Sequence, residues 1–586
     1  MKAKTLKTIN GSTQGIFLLA LGINAIILIS FLALTELRYG PDESTIARAV
    51  AFNGYYYFPF TNYFLNAFIG LIQKITPFWN AWAGCHIVFS FAAFTAITFV
   101  FFQKVKEDVW MRWLGVCIVL VYAYNHYTVI QFTQTAALLM VAGSLLVVHA
   151  FLFNAGNKVL IAGCLLLCLG TWYRFQGIYV ALGFAAIFLL VYLIKKRAQI
   201  RLLFTGKRLQ VVIVIVMFLV IGVTDQVSDR IGLSTNELRA YREYNTARAG
   251  FLDYPKPDYS SNEEAFKQMG ISEADYGLML NWFLDSDTIA SLENLKQINL
   301  MRETAQNKTI NFTASAYSFL KYIKDSIIES GNAGVSIRFL LLLAILILVL
   351  TRLRAWPKYL LFFAAFLIFY LYLYNLGRTP FRALYIIDLA MAIWCAYSIR
   401  SDELRHWLRS KGMKKRKERS IEVAIAVIIV FIVAANSFVL MKRSSSGIDQ
   451  SGVEDFNVFP QYVSEHPEKT FVFYYSANQQ FSTVSPYESP LNPYQNDLID
   501  NKFSFGGWPT MSPYLSKRLA DRGLSNLFGD IIDNDSVFVV DIDEDSIWMK
   551  EQFFTDHYAP PGYKIVYERV DTVGGFPLWQ VKTRPL

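Results

Sequence analysis

Long apolar runs separated by short polar blocks fill the chain from residue 16 to residue 441. A run of about 20 apolar residues, at about 1.5 Å rise each, crosses a hydrocarbon core of about 30 Å. The pattern predicts eleven transmembrane helices, over residues 16–35, 80–102, 110–124, 129–153, 158–172, 176–194, 209–225, 336–351, 357–376, 381–399 and 421–441. The first run has no small-residue cleavage site after it and further spans follow, so it reads as a retained helix. The segment YYYFPFTNYFLNAFIGLIQKITP is apolar and rich in Tyr, but counting it as a span would invert every later basic block. It is expected to be an interfacial or re-entrant helix.

Polar sequence interrupts this pattern twice. Residues 226–335, with NELRAYREYNTARAG and NEEAFKQMGISEADYGLMLNWFL, read as a mostly helical insertion. Residues 442–586 read as an α/β domain, in which TFVFYYSA, SVFVVDID and YKIVYERV are strand-like. The basic blocks MKAKTLK, QKVKED, KKRAQIRLLFTGKR, TRLRAWPK and RSKGMKKRKERS fall on one side of the predicted spans, as cytoplasmic loops do. The expected fold is therefore a polytopic α-helical membrane protein with about 11 transmembrane helices and a C-terminal extracytoplasmic α/β domain. Its expected divisions are 1–225, a transmembrane module; 226–335, an extracytoplasmic insertion; 336–441, further transmembrane helices; and 442–586, the extracytoplasmic domain. The N terminus is expected in the cytoplasm.

Composition agrees: 54% of the 586 residues are hydrophobic and 16% aromatic, which excludes a soluble protein. The net charge of +9 does not point to nucleic acid, because the basic residues collect between spans as topology signals. All five cysteines lie in apolar runs, so neither a disulfide framework nor a zinc motif is legible.

Polar residues at membrane depth are costly and usually face a wet, protein-lined cavity. Here they gather on the expected outer side. Asp42 and Glu43 follow the first span in YGPDEST; His126 and Gln131 sit in YNHYTVIQFTQT; Arg174 and Gln176 sit in GTWYRFQGIY; Arg378 and Arg382 sit in YNLGRTPFRALYIID. Tyr55, in the interfacial segment, is a further candidate for substrate binding. Plainer roles exist for each. Asp42 can cap a helix starting at Glu43, Arg174 can snorkel, and His126 can be a satisfied interfacial histidine. Pro380 can open a helix capped by Thr379, which places Arg382 in a first turn whose dipole it opposes, with Asp388 as one candidate partner. Four hairpins converging on one rim instead suggest one site, where arginines hold a lipid-linked sugar phosphate and a carboxylate deprotonates an acceptor hydroxyl.

A long first helix followed by PDE and an interfacial helix resembles the GT-C superfamily of membrane glycosyltransferases, the class that includes protein O-mannosyltransferases and lipid A aminoarabinose transferases. That resemblance implies a polyprenyl-phosphate sugar donor, a glycan, lipid or protein acceptor, Asp42 as catalytic base and Glu43 as the other member of the acidic pair. The segments QFTQTAALL, TWYRFQGIYVA, GRTPFRALYIIDLA and EYNTARAGFLDYPKPDY look like parts of large bacterial membrane proteins of this type, which implies a bacterial cytoplasmic membrane. Arg174, Arg378 and Arg382 as phosphate-binding residues, and His126, Gln131, Gln176 and Tyr55 as substrate-binding residues, rest on topology. No cofactor is legible. A divalent metal is left open, because YNHYTVIQ stands where a second acidic motif is found in the best-studied members.

Three alternatives carry less. Asp541 and Asp543 in VFVVDIDEDS follow a strand like the metal-binding DxD of nucleotide-sugar enzymes, but on the side away from nucleotide sugars, and the same stretch lacks the Gly and Glu of a calcium loop. A transporter or flippase would show inverted halves and charges at the midplane. A surface-polysaccharide polymerase or ligase is nearer, since it too needs arginines.

Overall fold

The computed structural model describes residues 12–35, 37–40, 42–52, 54–104, 109–197, 206–284, 286, 288–306, 312–328, 332–351, 356–399, 458–474, 477 and 501–586, with single positions at 420, 424, 427 and 433. Its apolar half begins with α1 (Thr13–Leu34), whose N-terminus Ser12 caps by accepting the Gly15 amide at 2.9 Å. The chain continues through strand β1 (Arg38–Tyr39), the short α2 (Glu43–Ala47), a π-helical turn at Arg48–Phe52 and α3 (Tyr63–Ile75). Then come α4 (Ala81–Lys104), α5 (Val109–Tyr127), β2 (Val129–Ile130), α6 (Phe132–Phe153), α7 (Asn157–Tyr173), α8 (Gly177–Lys195) and α9 (Arg208–Ile231).

Ten of the eleven predicted spans overlap a helix among the described residues, and the eleventh, 421–441, lies outside them apart from single positions. Among the described residues, seven helices are long and apolar enough to cross a membrane. The predicted span 110–124 falls on α5, which carries Arg112, Asn125 and His126, and 158–172 falls on α7, an apolar helix of 17 residues. Neither is among the seven, so the described residues do not reach the expected eleven. The YYYFPF segment yields the amphipathic α3, with Leu65, Ile69 and Gly70 buried and Phe68, Leu71 and Ile75 exposed.

At the centre stands α6, buried along almost its whole length and packed on α4, α7, α8 and α17 (Phe381–Ser398). Glycines let α6 and α7 touch through their backbones: a Cβ on Gly143 would meet the Gly163 carbonyl oxygen at 2.8 Å.

The expected insertion is helical, but its boundaries shift. Helix α9 runs through residue 225 to Ile231 and is followed by α10 (Asn236–Leu252), α11 (Glu263–Gln268), α12 (Glu273–Leu280), α13 (Leu292–Gln306) and α14 (Phe312–Ile328). Helix α14 packs with the membrane helices: Phe319 lies against Phe366, Tyr370 and Tyr374 of α16 (Trp356–Asn375), and α15 (Asn332–Thr351) follows across a 96° bend.

The C-terminal part comprises α18 (Val458–Glu465), β3 (Thr470–Phe473), β4 (Lys502–Ser504), α19 (Pro513–Asp521), α20 (Leu527–Asp530), β5 (Val537–Val540), α21 (Ile547–Tyr558), β6 (Tyr563–Val573) and β7 (Phe576–Pro585). The sheet runs β4-β3-β5-β7-β6; β4, β3 and β5 are parallel, and β7 is antiparallel to β5 and β6. Gly574 and Gly575, at φ +54° and +81°, make the two-residue turn of the β6–β7 hairpin. Strands β3 and β5 are buried on both faces, as parallel strands usually are. Phe471, Phe473, Phe538 and Val540 face α18, whereas Val472, Val537 and Val539 face a second core. That second core is shared with the insertion, which contributes Phe251, Phe266, Met279, Phe283 and Ile298.

Candidate active site

Asp42 is fixed by backbone. The β1–β2 pairing sets Arg38 against Val129 and Tyr39 against Ile130, and the Gly40 amide donates to the Ile130 carbonyl at 2.7 Å. A Cβ on Gly40 would lie 2.9 Å from that carbonyl oxygen, so glycine permits the approach. Asp42 then occupies the N-cap position of α2, as expected, but its side chain caps nothing. Its Oδ2 instead accepts from Arg382 Nη1 at 3.0 Å, with both side chains about one-third exposed.

Arg382 lies in the first turn of α17, which the extended Pro380 precedes as N-cap; the expected Thr379 cap is one residue out. Asp388 is not its partner: fully buried, it accepts from the Tyr370 hydroxyl at 2.6 Å. One turn before α17, Arg378 bridges to Asp253 at 3.0 Å and lies over the Tyr254 ring at 5.5 Å. Arg174, following α7, lies over Phe132 at 5.9 Å. Burial, and then the positive charges of Arg378 and Arg382, bring its guanidinium down to about 10. These three arginines therefore share one electrostatic neighbourhood.

They line a cavity of about 2000 Å³. Its apolar part is made by Met140 of α6, Val180 of α8, Leu373 of α16 and Ile386 of α17. The insertion supplies Arg239, Arg242, Arg248, Lys296 and Arg302, and the C-terminal part supplies Lys502, Arg518 and the loop Gly506–Pro509. With Arg38 and Arg48, ten arginines and two lysines face three carboxylates, Asp42, Glu243 and Asp253, among the described residues. So cationic an enclosure attracts anions strongly.

Six of the nine expected site residues line this cavity: Asp42, Gln131, Arg174, Gln176, Arg378 and Arg382. Gln131 also caps α6, accepting the Thr133 amide at 2.7 Å and the Gln134 amide at 3.2 Å, while its Nε2 is buried without a hydrogen bond among the described residues. Glu43, His126 and Tyr55 are not on the wall. Glu43 turns inward and accepts the Phe132 amide at 2.6 Å. Burial pushes its carboxyl well above the usual carboxylate range against the downward pull of the Phe132 bond; the neighbouring Asp42 charge adds a smaller rise, and Arg382 pulls down more weakly still. His126 is buried between Ser90 at 3.2 Å and the Tyr385 hydroxyl at 2.7 Å. Tyr55 packs against Phe58 and Tyr514, with ring centroids 5.5 Å away in each case.

No protein-family profile and no curated protein matches this chain. Among solved structures it is similar to ArnT from Cupriavidus metallidurans bound to undecaprenyl phosphate, with 10% identity and a TM-score of 0.44 over 97% of this chain and 98% of that one. The apo structure of the same protein gives 8% identity and a TM-score of 0.47, over 95% and 96%.

Sequence reasoning missed the cations brought by the two polar regions. For α10 a signal existed: Arg239, Arg242, Asn245 and Arg248 recur every three residues, so each neighbours the next along a ridge that winds around the helix, and all four line the cavity. On that ridge the Asn245 Oδ1 accepts from Arg248 Nη2 at 2.8 Å. Lys502 and Arg518 gave none, because the fold alone brings β4 and α19 to the cavity. The DxD candidate is an internal ion pair: Asp541 is fully buried and paired with Lys550. Among the described residues, no three His, Cys, Asp or Glu side chains form a metal-binding group.

Proposed function

We propose that the chain is a membrane glycosyltransferase that moves a sugar from a polyprenyl-phosphate donor to an acceptor hydroxyl within this cavity. The observation that carries the reading is the Asp42–Arg382 pair at 3.0 Å, set in a cavity lined both by many cations and by apolar residues of α6, α8, α16 and α17. An isoprenoid tail suits the apolar part and a phosphate the guanidiniums of Arg174, Arg378 and Arg382. A donor phosphate competes with Asp42 for Arg382, so donor binding frees the carboxylate. Asp42 then takes the proton of the acceptor hydroxyl as its oxygen attacks the anomeric carbon. The bond from that carbon to the phosphate oxygen breaks, the configuration inverts, and polyprenyl phosphate leaves with its charge held by the arginines.

Asp42→Asn is expected to keep the fold and the donor affinity and to lower transfer by about 10²–10⁴-fold, the usual worth of a general base. Arg378→Ala is expected to weaken polyprenyl-phosphate binding, whereas Arg584→Ala, at an exposed ion pair with Glu568, leaves it unchanged. Transfer is read with a polyprenyl-phosphate sugar and the cell's surface glycans, compared by mass with and without the gene product. Full activity of Asp42→Asn overturns the assignment of the base. Uniformly shortened surface chains in place of one missing sugar would indicate a polymerase.

A further inference from the structure

Besides Asp42, a second cavity carboxylate is paired with an arginine of the proposed phosphate clamp. The segment after α16 closes that helix with a Schellman motif: the Gly377 amide donates to the Tyr374 carbonyl and the Arg378 amide to the Leu373 carbonyl, both at 3.0 Å, with Gly377 at φ +66°. Pro255 packs on this turn so closely that a Cβ on Gly377 would lie 2.3 Å from Pro255 Cγ. With both backbones set, Arg378 meets the two residues before Pro255: its Nη2 donates to Asp253 Oδ2 at 3.0 Å and its Nη1 to the Tyr254 hydroxyl at 3.4 Å. Asp253 is the C-cap of α10, where a carboxylate opposes the helix dipole, as the cation of Arg382 does in the first turn of α17. Each of the two ion pairs, Asp42–Arg382 and Asp253–Arg378, thus contains a charge that its own helix disfavours. Residues set against local preference concentrate at functional sites. Arg174 lies in the field of both carboxylates and both arginines.

The two carboxylates part company once the sugar has moved. Cleavage of the bond from the anomeric carbon leaves its electron pair on the phosphate oxygen, so a singly charged phosphodiester becomes a monoester of about −1.5 to −2. The acceptor proton goes to Asp42, whose neutral carboxyl no longer competes for Arg382. The arginines therefore hold the product phosphate more tightly than the donor, at the moment when one competitor is lost. Asp253 takes no proton in this step. We propose that Asp253 is a positioning residue that competes with the phosphate for Arg378 and, after transfer, recaptures that arginine and so hastens release of polyprenyl phosphate. The inference rests on the glycosyltransferase reading and adds to it a release step, with Asp253 holding Arg378 in place whenever no phosphate is bound.

The test uses the full chain in nanodiscs of phosphatidylcholine and measures the affinity and the dissociation rate of polyprenyl phosphate. Asp253→Ala removes the competing acceptor and is expected to tighten binding about ten-fold, the worth of one charge-assisted contact, mainly through slower dissociation. Asp253→Glu, which keeps the carboxylate, is expected to restore most of the wild-type rate. In the Arg378→Ala background, Asp253→Ala is expected to change little, because the competition acts through that guanidinium. A residue that only braces Arg378 would give the opposite sign, with Asp253→Ala loosening binding as Arg378→Ala does. Loosened or unchanged binding in Asp253→Ala, or tightening that persists without Arg378, overturns the proposal, and a gain of affinity cannot come from unfolding. If polyprenyl phosphate does not bind the wild-type chain, the donor reading falls and this inference with it; binding without the Asp253 effect refutes this inference alone.

Discussion

Two adjacent carboxylates in YGPDEST meet opposite environments. Asp42 faces the cavity and Arg382, while Glu43 is buried and holds the first amide of α6. Because its folded pKa is raised, Glu43 keeps its proton to a higher pH in the folded chain than in the unfolded one. Its contribution to stability is therefore fully present below the unfolded value and is lost as pH rises toward the folded one. Glu43→Gln retains an acceptor for Phe132 and is expected to remove that loss, giving flatter thermal stability from acid to neutral pH. Glu43→Ala leaves the buried Phe132 amide orphaned and is expected to cost about 1–3 kcal/mol, read by thermal unfolding in detergent. A sequence shows that two carboxylates lie beside lipid; it does not show that one turn of α2 divides them between cavity and interior. The same limit applies to His126, whose partners Ser90 and Tyr385 come from helices far away in sequence.

Elements were legible where one chain segment decides them. Apolar run length located the spans, and a Tyr-rich amphipathic stretch located α3, because each depends on local composition. What closes the cavity depends on contacts between segments. Trp282, at φ +69°, points its carbonyl at the loop before α19, where Gly506 has φ +70°. A Cβ on Gly506 would lie 1.7 Å from that oxygen, so Gly506→Ala combines left-handed strain with a backbone clash. Gly523 also has φ +70° but open space around its Cβ position. Gly523→Ala is expected to show the backbone strain alone, about 1–3 kcal/mol. Gly506→Ala is expected to cost clearly more, since the loop it distorts also carries Trp508, buried against Phe58 and Phe60. Equal melting shifts for the two variants would mean that the Trp282 contact does not hold the loop.

At the scale of the molecule, the two polar regions that the sequence separates by several spans share one core. Phe283 of the insertion is buried among aromatic rings of the C-terminal part: Tyr474 at 5.5 Å, Phe505 at 5.6 Å, Phe528 at 4.5 Å and Phe553 at 4.9 Å. His557 of α21 adds a polar contact, its Nε2 lying 3.2 Å from the Asp275 carboxylate of α12. No periodicity within either region reveals this partnership, because each looks amphipathic alone. It has a functional consequence, since Arg248 of the insertion stacks on Trp282, next to Phe283, while Lys502 and Arg518 belong to the other partner. Phe283→Ala is expected to cost about 3–5 kcal/mol through the cavity it leaves among these rings. The destabilisation should appear jointly in both regions, as simultaneous gain of protease cleavage in 236–306 and 501–586 while the membrane helices stay protected. Donor binding, which depends on arginines just before α17, in its first turn and in the α7–α8 turn, should weaken little. Cleavage confined to one region would show that they fold independently.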